Sequence, residues 1–202
     1  MTANNQTTTL DFLRHGEVQG GQYYRGKTDD LLTEHGWQQM HGRCEDKEWD
    51  LVISSPLKRC ADFASDWCKQ RQRQLLIDEA WMEMNFGDWE GLSADQIIRR
   101  DSTALQAFYA DPLGYTPPNA EKYSDFLTRI SCGLEGVLSN HVGQQVLIVT
   151  HAGVIRGLFS LLLGIPIAQC WQIEVPHACL TRFSCFYDQS GRFIQLNFHN
   201  PS

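Results

Sequence analysis

Two neighbouring stretches near the start of the sequence have the residue types that bind phosphate. Arg14-His15-Gly16 offers an imidazole that could attack phosphorus, beside a guanidinium that could bind phosphoryl oxygens. Residues 21–28, "GQYYRGKT", match the G-x-x-x-x-G-K-[ST] pattern of a nucleotide-binding loop. The two patterns imply different chemistry, so the surrounding sequence must decide between them.

The nucleotide-binding pattern lacks the elements on which that function depends. Such a loop joins a strand directly to a helix, so that backbone N–H groups and the helix N-terminus surround the phosphates. Here the apolar run ends at Leu13, well before Gly21, and two carboxylates, Asp29 and Asp30, follow the loop. No apolar strand ends in the aspartate expected to hold magnesium. We therefore interpret the match as coincidental.

The histidine pattern fits phosphoryl transfer without a metal, which needs a nucleophile, cationic donors and an acid for the leaving alcohol. His15 is the candidate nucleophile, because neighbouring guanidiniums depress the pKa of an imidazole and keep it neutral. Arg14 is the first donor, and Gly16 would let the chain turn closely past a phosphate. Taken alone, the tripeptide is equally consistent with a surface Arg-His pair.

A second donor follows the dipeptide Ser55-Pro56, which predicts a helix that begins there. Arg59 would lie in the first turn of that helix, where the helix dipole favours an anion. Its guanidinium can bind two phosphoryl oxygens at once. Lys58 is the alternative donor.

The candidate acid lies in "WMEMNFGDWEG", residues 81–91. In an extended segment Met82, Met84 and Phe86 share an apolar face, and Glu83 lies on the opposite face with Trp81. Apolar surroundings and a nearby phosphate dianion favour a protonated carboxyl, which suits an acid catalyst. The competing carboxylates are Glu79, Asp88 and Glu90.

His151 completes the set, because it directly follows the predicted strand Gln145–Thr150. Ligands of α/β proteins bind at the carboxyl ends of strands, and His15 also follows a predicted strand. We therefore expect the two histidines to share a site. Taken alone, His151 is better interpreted as a histidine that caps the end of a strand. The remaining histidines are predicted to be structural: His35, His41, His141, His177 and His199.

Strand and helix signals alternate along the chain. Strands are predicted at 8–13, 50–55, 145–150, 180–186 and 193–198. One helix is predicted to begin near Thr33 and another at Val154. A capping box at Ser93–Gln96 predicts the start of a third, and a further helix carries the apolar residues Phe126, Ile130, Leu134 and Val137 at helical spacing. The pattern predicts an α/β fold, a three-layer α/β/α sandwich in one domain (1–202), with a mostly parallel sheet whose last strands are antiparallel. The Pro-rich segment 110–121 is predicted to be an ordered loop over the site.

Composition narrows the function classes. The formal net charge of −7 gives no support to a nucleic-acid surface. Seven scattered cysteines without a C-x-x-C pair favour buried thiols in a reduced, cytoplasmic protein. The stretch "MTANNQTTT" does not resemble a signal peptide, and no apolar run is long enough to span a membrane, so we expect a soluble protein.

Taken together, five collinear stretches between Leu13 and Gly157 resemble the histidine phosphatase superfamily, in its phosphoglycerate-mutase-like branch. They are "LRHGE", "YRGKTDDLLTEHGWQQM", "VISSPLKRC", "MEMNFGDWEG" and "VTHAGVIRG". The resemblance implies a phosphohistidine on His15 and a phosphoryl group held by Arg14, Arg59 and His151. It implies that Glu83 protonates the leaving oxygen and then helps water cleave the phosphohistidine. It also implies substrate contacts from Gly16, Arg25, Gly26 and Ala152, and no metal or cofactor.

Within the family, "EVQGGQYYRGKTDD" and "PLKRCADFA" are most similar to α-ribazole phosphatases, which act on α-ribazole 5′-phosphate in cobalamin synthesis. Gly21 stands where many members carry an asparagine, and "PPNAE" replaces a more usual Gly-Glu. The expected partner is therefore a small phosphomonoester, with no nucleic acid or membrane, and nothing indicates an oligomer.

Alternatives remain open at this point. Within the family they are a broad-specificity phosphatase and a mutase, although the segment after the acidic motif is shorter here than in mutases. From other classes, they are a metal-dependent hydrolase with His15 and His151 as ligands, and a non-catalytic binding protein.

Overall fold

Six strands form one mixed sheet in the computed structural model, which describes residues 7–188 and 191–201. The strands are β1 (Thr7–Arg14), β2 (Leu51–Ser54), β3 (Leu75–Ile77), β4 (Gln145–Thr150), β5 (Leu180–Asp188) and β6 (Gly191–His199). Their order is β3-β2-β4-β1-β5-β6. The first four are mutually parallel, whereas β5 pairs antiparallel with both β1 and β6. Residues 1–6, part of the stretch predicted not to be a signal peptide, lie outside the described residues.

Helices connect the strands. They are α1 (Glu34–Cys44), α2 (Lys58–Arg71), α3 (Ala94–Arg100), α4 (Ala104–Ala110), α5 (Tyr123–Asn140), α6 (Ala152–Leu163) and α7 (Ile167–Cys170). Two short 3₁₀ turns, Glu79–Trp81 and Gly87–Trp89, lie between β3 and α3. Across the part of the chain that is described, no helix is both long and apolar enough to cross a bilayer.

Alternate side chains of the buried strands serve two separate cores. Along β4, Val146 and Ile148 pack into the cluster that contains α3 to α7, while Leu147 and Val149 pack into the cluster with α1 and α2. This is the period-two geometry of a strand buried on both faces. The predicted three-layer, mostly parallel α/β/α fold is therefore confirmed, including the antiparallel last strands.

Several local predictions are also confirmed. The Thr33 side chain caps α1 by accepting a hydrogen bond from the Gly36 amide. Ser93 and Gln96 form the capping box at the start of α3. The predicted apolar face of α5 is buried: Phe126, Ile130, Leu134 and Val137. Six of the seven cysteines are also buried, Cys132 being the exposed one.

The predicted start of α2 is wrong by a few residues. The helix begins at Lys58, and its N-cap Leu57 makes no side-chain cap. Ser55 instead continues the sheet edge, because its amide donates to the Val149 carbonyl at 3.0 Å. Helix α6 begins at Ala152, two residues earlier than predicted, and β3, α4 and α7 were not predicted.

Candidate active site

Two neighbouring parallel strands bring the two predicted histidines together. Arg14 is in register with Thr150, at the ends of β1 and β4. The His15 amide donates to the Thr150 carbonyl at 3.0 Å, and the ring centroids of His15 and His151 lie 5.3 Å apart. Both rings are buried. The structure therefore places the two imidazoles side by side at the carboxyl edge of the sheet.

The backbone fixes the tautomer of His15. A carbonyl oxygen can only accept, so Nδ1 donates its proton to the Gly16 carbonyl at 2.8 Å. Nε2 consequently keeps its lone pair. Burial first, and then the charges of Arg14 and Arg59, hold the pKa of His15 well below its usual value of 6.5. From the sequence we predicted this lowering of the pKa from the guanidiniums alone, whereas desolvation contributes more to it.

The structure gives a different reason for a glycine at position 16 from the one that we predicted. A Cβ built on Gly16 would lie 2.2 Å from the Gly36 carbonyl oxygen, so a side chain would separate the strand end from the start of α1. Gly16 is buried and does not line the cavity described below. The contact that requires a glycine is therefore with backbone, not with a phosphate.

Arg14 lines the cavity next to His15. Its Nη1 donates to the Val175 carbonyl at 2.6 Å, while its buried Nε has no hydrogen-bond partner among the described residues. Burial lowers the pKa of Arg14 to about 10, so the guanidinium stays charged at neutral pH. A buried donor without a partner is costly, and an anion in the cavity would satisfy it.

Arg59 is completely buried and lies beneath the cavity rather than in its wall. Its Nη1 and Nη2 donate to the carbonyls of Thr28 and Gly26, at 2.6 and 2.7 Å. Its Nε donates to His151 Nδ1 at 3.3 Å. Lys58, the alternative donor, is exposed. Burial lowers the pKa of Arg59 from its usual value.

His151 is held through both ring nitrogens. Because Arg59 donates to Nδ1, the ring proton lies on Nε2, which donates to the Ser55 hydroxyl oxygen at 2.9 Å. Burial and the charge of Arg59 hold the pKa of His151 well below 6.5. Ser55 was predicted only as a helix cap, so its contact with His151 is new.

Glu83 is the one predicted acid whose side chain reaches the cavity. Its carboxylate accepts hydrogen bonds from the amides of Met84 and Gly153, at 3.0 and 2.9 Å. Gly153 lies in the first turn of α6, and a Cβ there would meet Glu83 Oε1 at 2.2 Å. The competitors lie elsewhere, because Glu79 and Asp88 are exposed and Glu90 binds backbone amides.

The extended geometry predicted around Glu83 is wrong. Trp81 ends a 3₁₀ turn and is fully buried in the same core as Met84, although a strand would put the two residues on opposite faces. Glu83 follows this turn in irregular backbone. Local turn chemistry, with Asp78 capping the turn, has replaced the period-two pattern.

The other predicted substrate contacts divide into two groups. Arg25 and Ala152 line the cavity, with Arg25 also ion-paired to Asp30 at 2.5 Å. Gly26 does not line it, because its amide faces Glu90 and its carbonyl faces Arg59.

The cavity beside His15 has a volume of about 850 Å³. Its aromatic wall consists of Tyr23, Tyr24, Phe86, Tyr109, Tyr123, Phe126 and Trp171. No residue of the loop 110–121 lines it. That loop packs on the neighbouring turn instead, where the Pro118 carbonyl accepts from the Asp88 amide.

Sequence reasoning missed several polar groups of the cavity, among them His177 and Arg156. The His177 ring lies 5.8 Å from that of His15, measured between centroids, and burial lowers its pKa to about 4. Arg156 projects from α6, with its Nε donating to the Ile173 carbonyl at 3.2 Å. The helical spacing from Ala152 could have indicated Arg156, whereas His177 had no comparable signal.

Comparison of this chain with known proteins identifies its family. The sequence pattern of the histidine phosphatase superfamily (branch 1) matches residues 10–198. An adenosylcobalamin/alpha-ribazole phosphatase of Escherichia coli K12 is 29% identical over 175 residues, 84% of this chain and 86% of that protein. Phosphoserine phosphatase 1 of Hydrogenobacter thermophilus is 23% identical over 174 residues, 84% and 82% of the two chains.

Coverage differs among the similar proteins. A bifunctional protein of Mycobacterium tuberculosis is 28% identical over 200 residues, 96% of this chain, and this chain spans 54% of its length. An alpha-ribazole phosphatase structure from Shigella flexneri superposes with a TM-score of 0.79 at 30% identity and covers 96% of each chain. These likenesses support phosphatase activity and leave the substrate undetermined.

Proposed function

Because the chain belongs to the histidine phosphatase superfamily, we propose that it hydrolyses phosphomonoesters through a phosphohistidine formed on His15. One observation carries the proposal: the buried His15 ring has its Nδ1 bound to the Gly16 carbonyl, which leaves a lone pair on Nε2. Burial, which holds the pKa of His15 well below 6.5, favours the neutral ring. An imidazole nucleophile must be neutral, and burial beside two guanidiniums keeps it so.

In the first step, the Nε2 lone pair attacks phosphorus and the phosphorus–oxygen bond of the ester breaks. The leaving oxygen takes a proton from the carboxyl of Glu83, which lines the same cavity. A positioned acid of this kind contributes about 10²–10⁴ to the rate. The products of this step are the free alcohol and a phosphohistidine.

In the second step, the Glu83 carboxylate accepts a proton from water while the water oxygen attacks phosphorus. The phosphorus–nitrogen bond breaks, and its electron pair returns to Nε2. Inorganic phosphate leaves, and both side chains regain their starting state. The cycle needs no redox partner and no metal.

Arg14 and Arg59 are proposed to stabilise charge on the phosphoryl oxygens directly. His151, whose one N–H is bound to Ser55, is proposed to do so by accepting from Arg59 and holding it in place. The Arg14 Nε lacks a partner among the described residues and is the donor most ready for a ligand. Arg59 makes three hydrogen bonds with protein groups, out of five N–H donors in a guanidinium. Preorganised donors of this type are usually the largest contribution to such catalysis.

For the substrate we propose α-ribazole 5′-phosphate, an aromatic base linked to a ribose phosphate. The motifs around residues 17–30 and 56–64 support it, as do the names of the Escherichia coli and Shigella flexneri proteins. The aromatic cavity wall offers rings on which a flat base can stack. The cavity volume also lies within the usual range for sites that bind small molecules.

The mechanism is tested with His15→Ala and with an acid quench of the wild-type enzyme. Wild type should yield acid-labile, base-stable phosphate on His15, and His15→Ala should yield none and lose about 10⁴–10⁶ in kcat. His35→Ala, which changes an exposed histidine, is the matched control. Turnover that persists in His15→Ala, or that disappears on chelation, would contradict the proposal.

The substrate is tested by comparing kcat/KM for α-ribazole 5′-phosphate, phosphoserine and 4-nitrophenyl phosphate. We expect the ribazole ester to be preferred, because the other two leave much of the aromatic wall unoccupied. A preference for phosphoserine would reassign the substrate and point to Arg156 as the group that binds its carboxylate. In either case the phosphohistidine mechanism stands or falls on the separate trapping experiment.

A further inference from the structure

The Glu90 carboxylate, which lies beneath the cavity, accepts hydrogen bonds from five donors. Glu90 accepts from the amides of Gly26, Lys27 and Thr28 at 3.0 to 3.1 Å, and from the Thr28 hydroxyl. The Phe86 amide also donates to it, at 3.0 Å. The three consecutive amides belong to the segment whose sequence matches the nucleotide-binding pattern. The Glu90 carboxylate is therefore bound by the amides that a phosphate would contact in such a loop.

The opposite side of the same segment faces Arg59. The carbonyls of Gly26 and Thr28 accept from its two terminal nitrogens, and its Nε donates to His151. Segment 26–28 therefore has its amides on Glu90 and its carbonyls on the guanidinium. The segment is tightly packed as well, since a Cβ on Gly26 would lie 1.9 Å from a backbone carbonyl oxygen.

We propose that Glu90 is a positioning residue that sets the orientation of Arg59 through segment 26–28. Glu90 does not line the cavity, so it acts on the reacting atoms only through the groups that it binds, and of these segment 26–28 is the one in contact with Arg59. Charge-assisted hydrogen bonds are about twice as strong as neutral ones, which suits a carboxylate to hold three amides. The inference rests on the proposed function, because it assigns Arg59 to the phosphoryl group.

The physical reason for such a device lies in the geometry of Arg59. Its planar guanidinium binds two oxygens well only in a narrow range of orientations. Two loop carbonyls whose own peptide groups were not held would not fix that plane. With the amides of the same residues held by Glu90, the carbonyls are fixed too, and the remaining N–H groups keep one direction.

The test is Glu90→Gln, which keeps the shape but replaces one acceptor oxygen with an NH₂ group facing N–H donors. A displacement of about 1 Å can cost about 10²-fold, so we expect kcat/KM to fall about 10- to 10²-fold. The affinity for inorganic phosphate, measured by titration, should fall in parallel. Asp88→Asn, at an exposed carboxylate that accepts from Asn119, is the matched control and should change neither quantity.

A double-variant cycle separates positioning from general stability. If Glu90 acts through Arg59, Glu90→Gln/Arg59→Met should lose no more activity than Arg59→Met alone. Losses that multiply would overturn the inference, as would Glu90→Gln with a lowered Tm but unchanged phosphate affinity. If Glu90→Gln fails to fold, Thr28→Val decides, because it removes one of the five donors and should weaken phosphate binding about two- to tenfold. Unchanged phosphate affinity in Thr28→Val would then overturn it.

These outcomes are distinct from failure of the proposed function. That failure would appear in the wild-type enzyme alone, as the absence of a trapped phosphohistidine or of phosphate binding. The variants are interpreted only against a wild type that shows both.

Discussion

Two groups of polar residues lie on either side of Arg59, and they differ in whether a ligand or the protein supplies the anion that their donors bind. Beside the cavity lies the open group, which consists of Arg14, His15, Glu83 and His151. There the Arg14 Nε has no partner among the described residues and His15 keeps a free lone pair on Nε2. Beneath it, the amides of residues 26–28 are all bound by Glu90. The first group is open to a ligand, and the second is closed by the protein.

The difference teaches that a phosphate-binding pattern becomes a site only where its donors are left unsatisfied. Both groups can attract an anion, through guanidinium charge in one and through convergent amides in the other. In the second, a carboxylate at 3.0–3.1 Å from the three amides of residues 26–28 leaves none of them for a nucleotide. The coincidental motif is thus a structural support of the site beside it.

The largest effect is expected where the open group carries out proton transfer. Glu83→Gln removes the acid of the first step and should lower kcat/KM for alkyl phosphates by about 10²–10⁴. The loss in kcat/KM should be much smaller for 4-nitrophenyl phosphate, because 4-nitrophenolate leaves without being protonated and kcat/KM does not include the second step, in which Glu83 acts as base on water. Steady-state kinetics on both esters measure the difference.

Glu79→Gln provides the control for this variant, since Glu79 is an exposed carboxylate a few residues away. It should leave both rates unchanged. An equal loss on the two esters in Glu83→Gln would remove Glu83 from the role of acid and leave it only a structural part of the open group.

Much of this arrangement could be predicted from the sequence because it depends on strand ends. Buried apolar runs predicted β1 and β4, and parallel pairing then placed His15 beside His151 without further assumptions. The capping residues Thr33 and Ser93 were predictable for a similar reason, because a local side chain satisfies a local amide.

What could not be predicted depends on contacts between distant segments. His177 reaches the cavity because β5 runs antiparallel to β1 and starts beside the end of β1, with Leu13 opposite Leu180. No local pattern gives that pairing. The bonds from Glu90 to residues more than sixty positions earlier are of the same kind. The prediction of extended backbone around Glu83 was wrong for another reason, because apolar spacing alone does not distinguish a short 3₁₀ turn from a strand.

A smaller loss of kcat/KM is expected when the Glu83 carboxylate is displaced rather than removed. In Gly153→Ala the new Cβ would lie 2.2 Å from Glu83 Oε1, so the carboxylate must move. We expect kcat/KM to fall about 10- to 10²-fold, with phosphate affinity less affected. Gly136→Ala in α5 is the matched control, because its Cβ would enter open space. Equal kinetics in the two variants would show that the position of Glu83 is not critical.

The open group should also make stability depend on pH. His15 and His151 have folded-state pKa values well below 6.5, so below that pH the unfolded chain binds more protons than the folded one. Stability is therefore full above pH 6.5 and falls as the pH is lowered toward the folded pKa values. Each histidine contributes at most about 1.4 kcal/mol per pH unit in that window.

Urea unfolding of wild type and His15→Ala between pH 7 and pH 5 measures this contribution. The alanine variant should lose less stability over the interval, because one buried neutral imidazole is gone. The control His35→Ala, at an exposed histidine, should follow wild type. Parallel curves for all three proteins would mean that burial does not suppress protonation of His15.

The smallest effect is expected in the closed group. In a nucleotide-binding loop the lysine contacts the β- and γ-phosphates and is needed for function. Here Lys27 is exposed, and only its backbone amide binds Glu90. Lys27→Ala should therefore leave kcat/KM unchanged and alter the free energy of unfolding by no more than about 0.5 kcal/mol. Calorimetric titration with ATP and Mg²⁺ should give no binding in wild type or variant, whereas binding that the variant loses would mean that Glu90 yields its place to a phosphate.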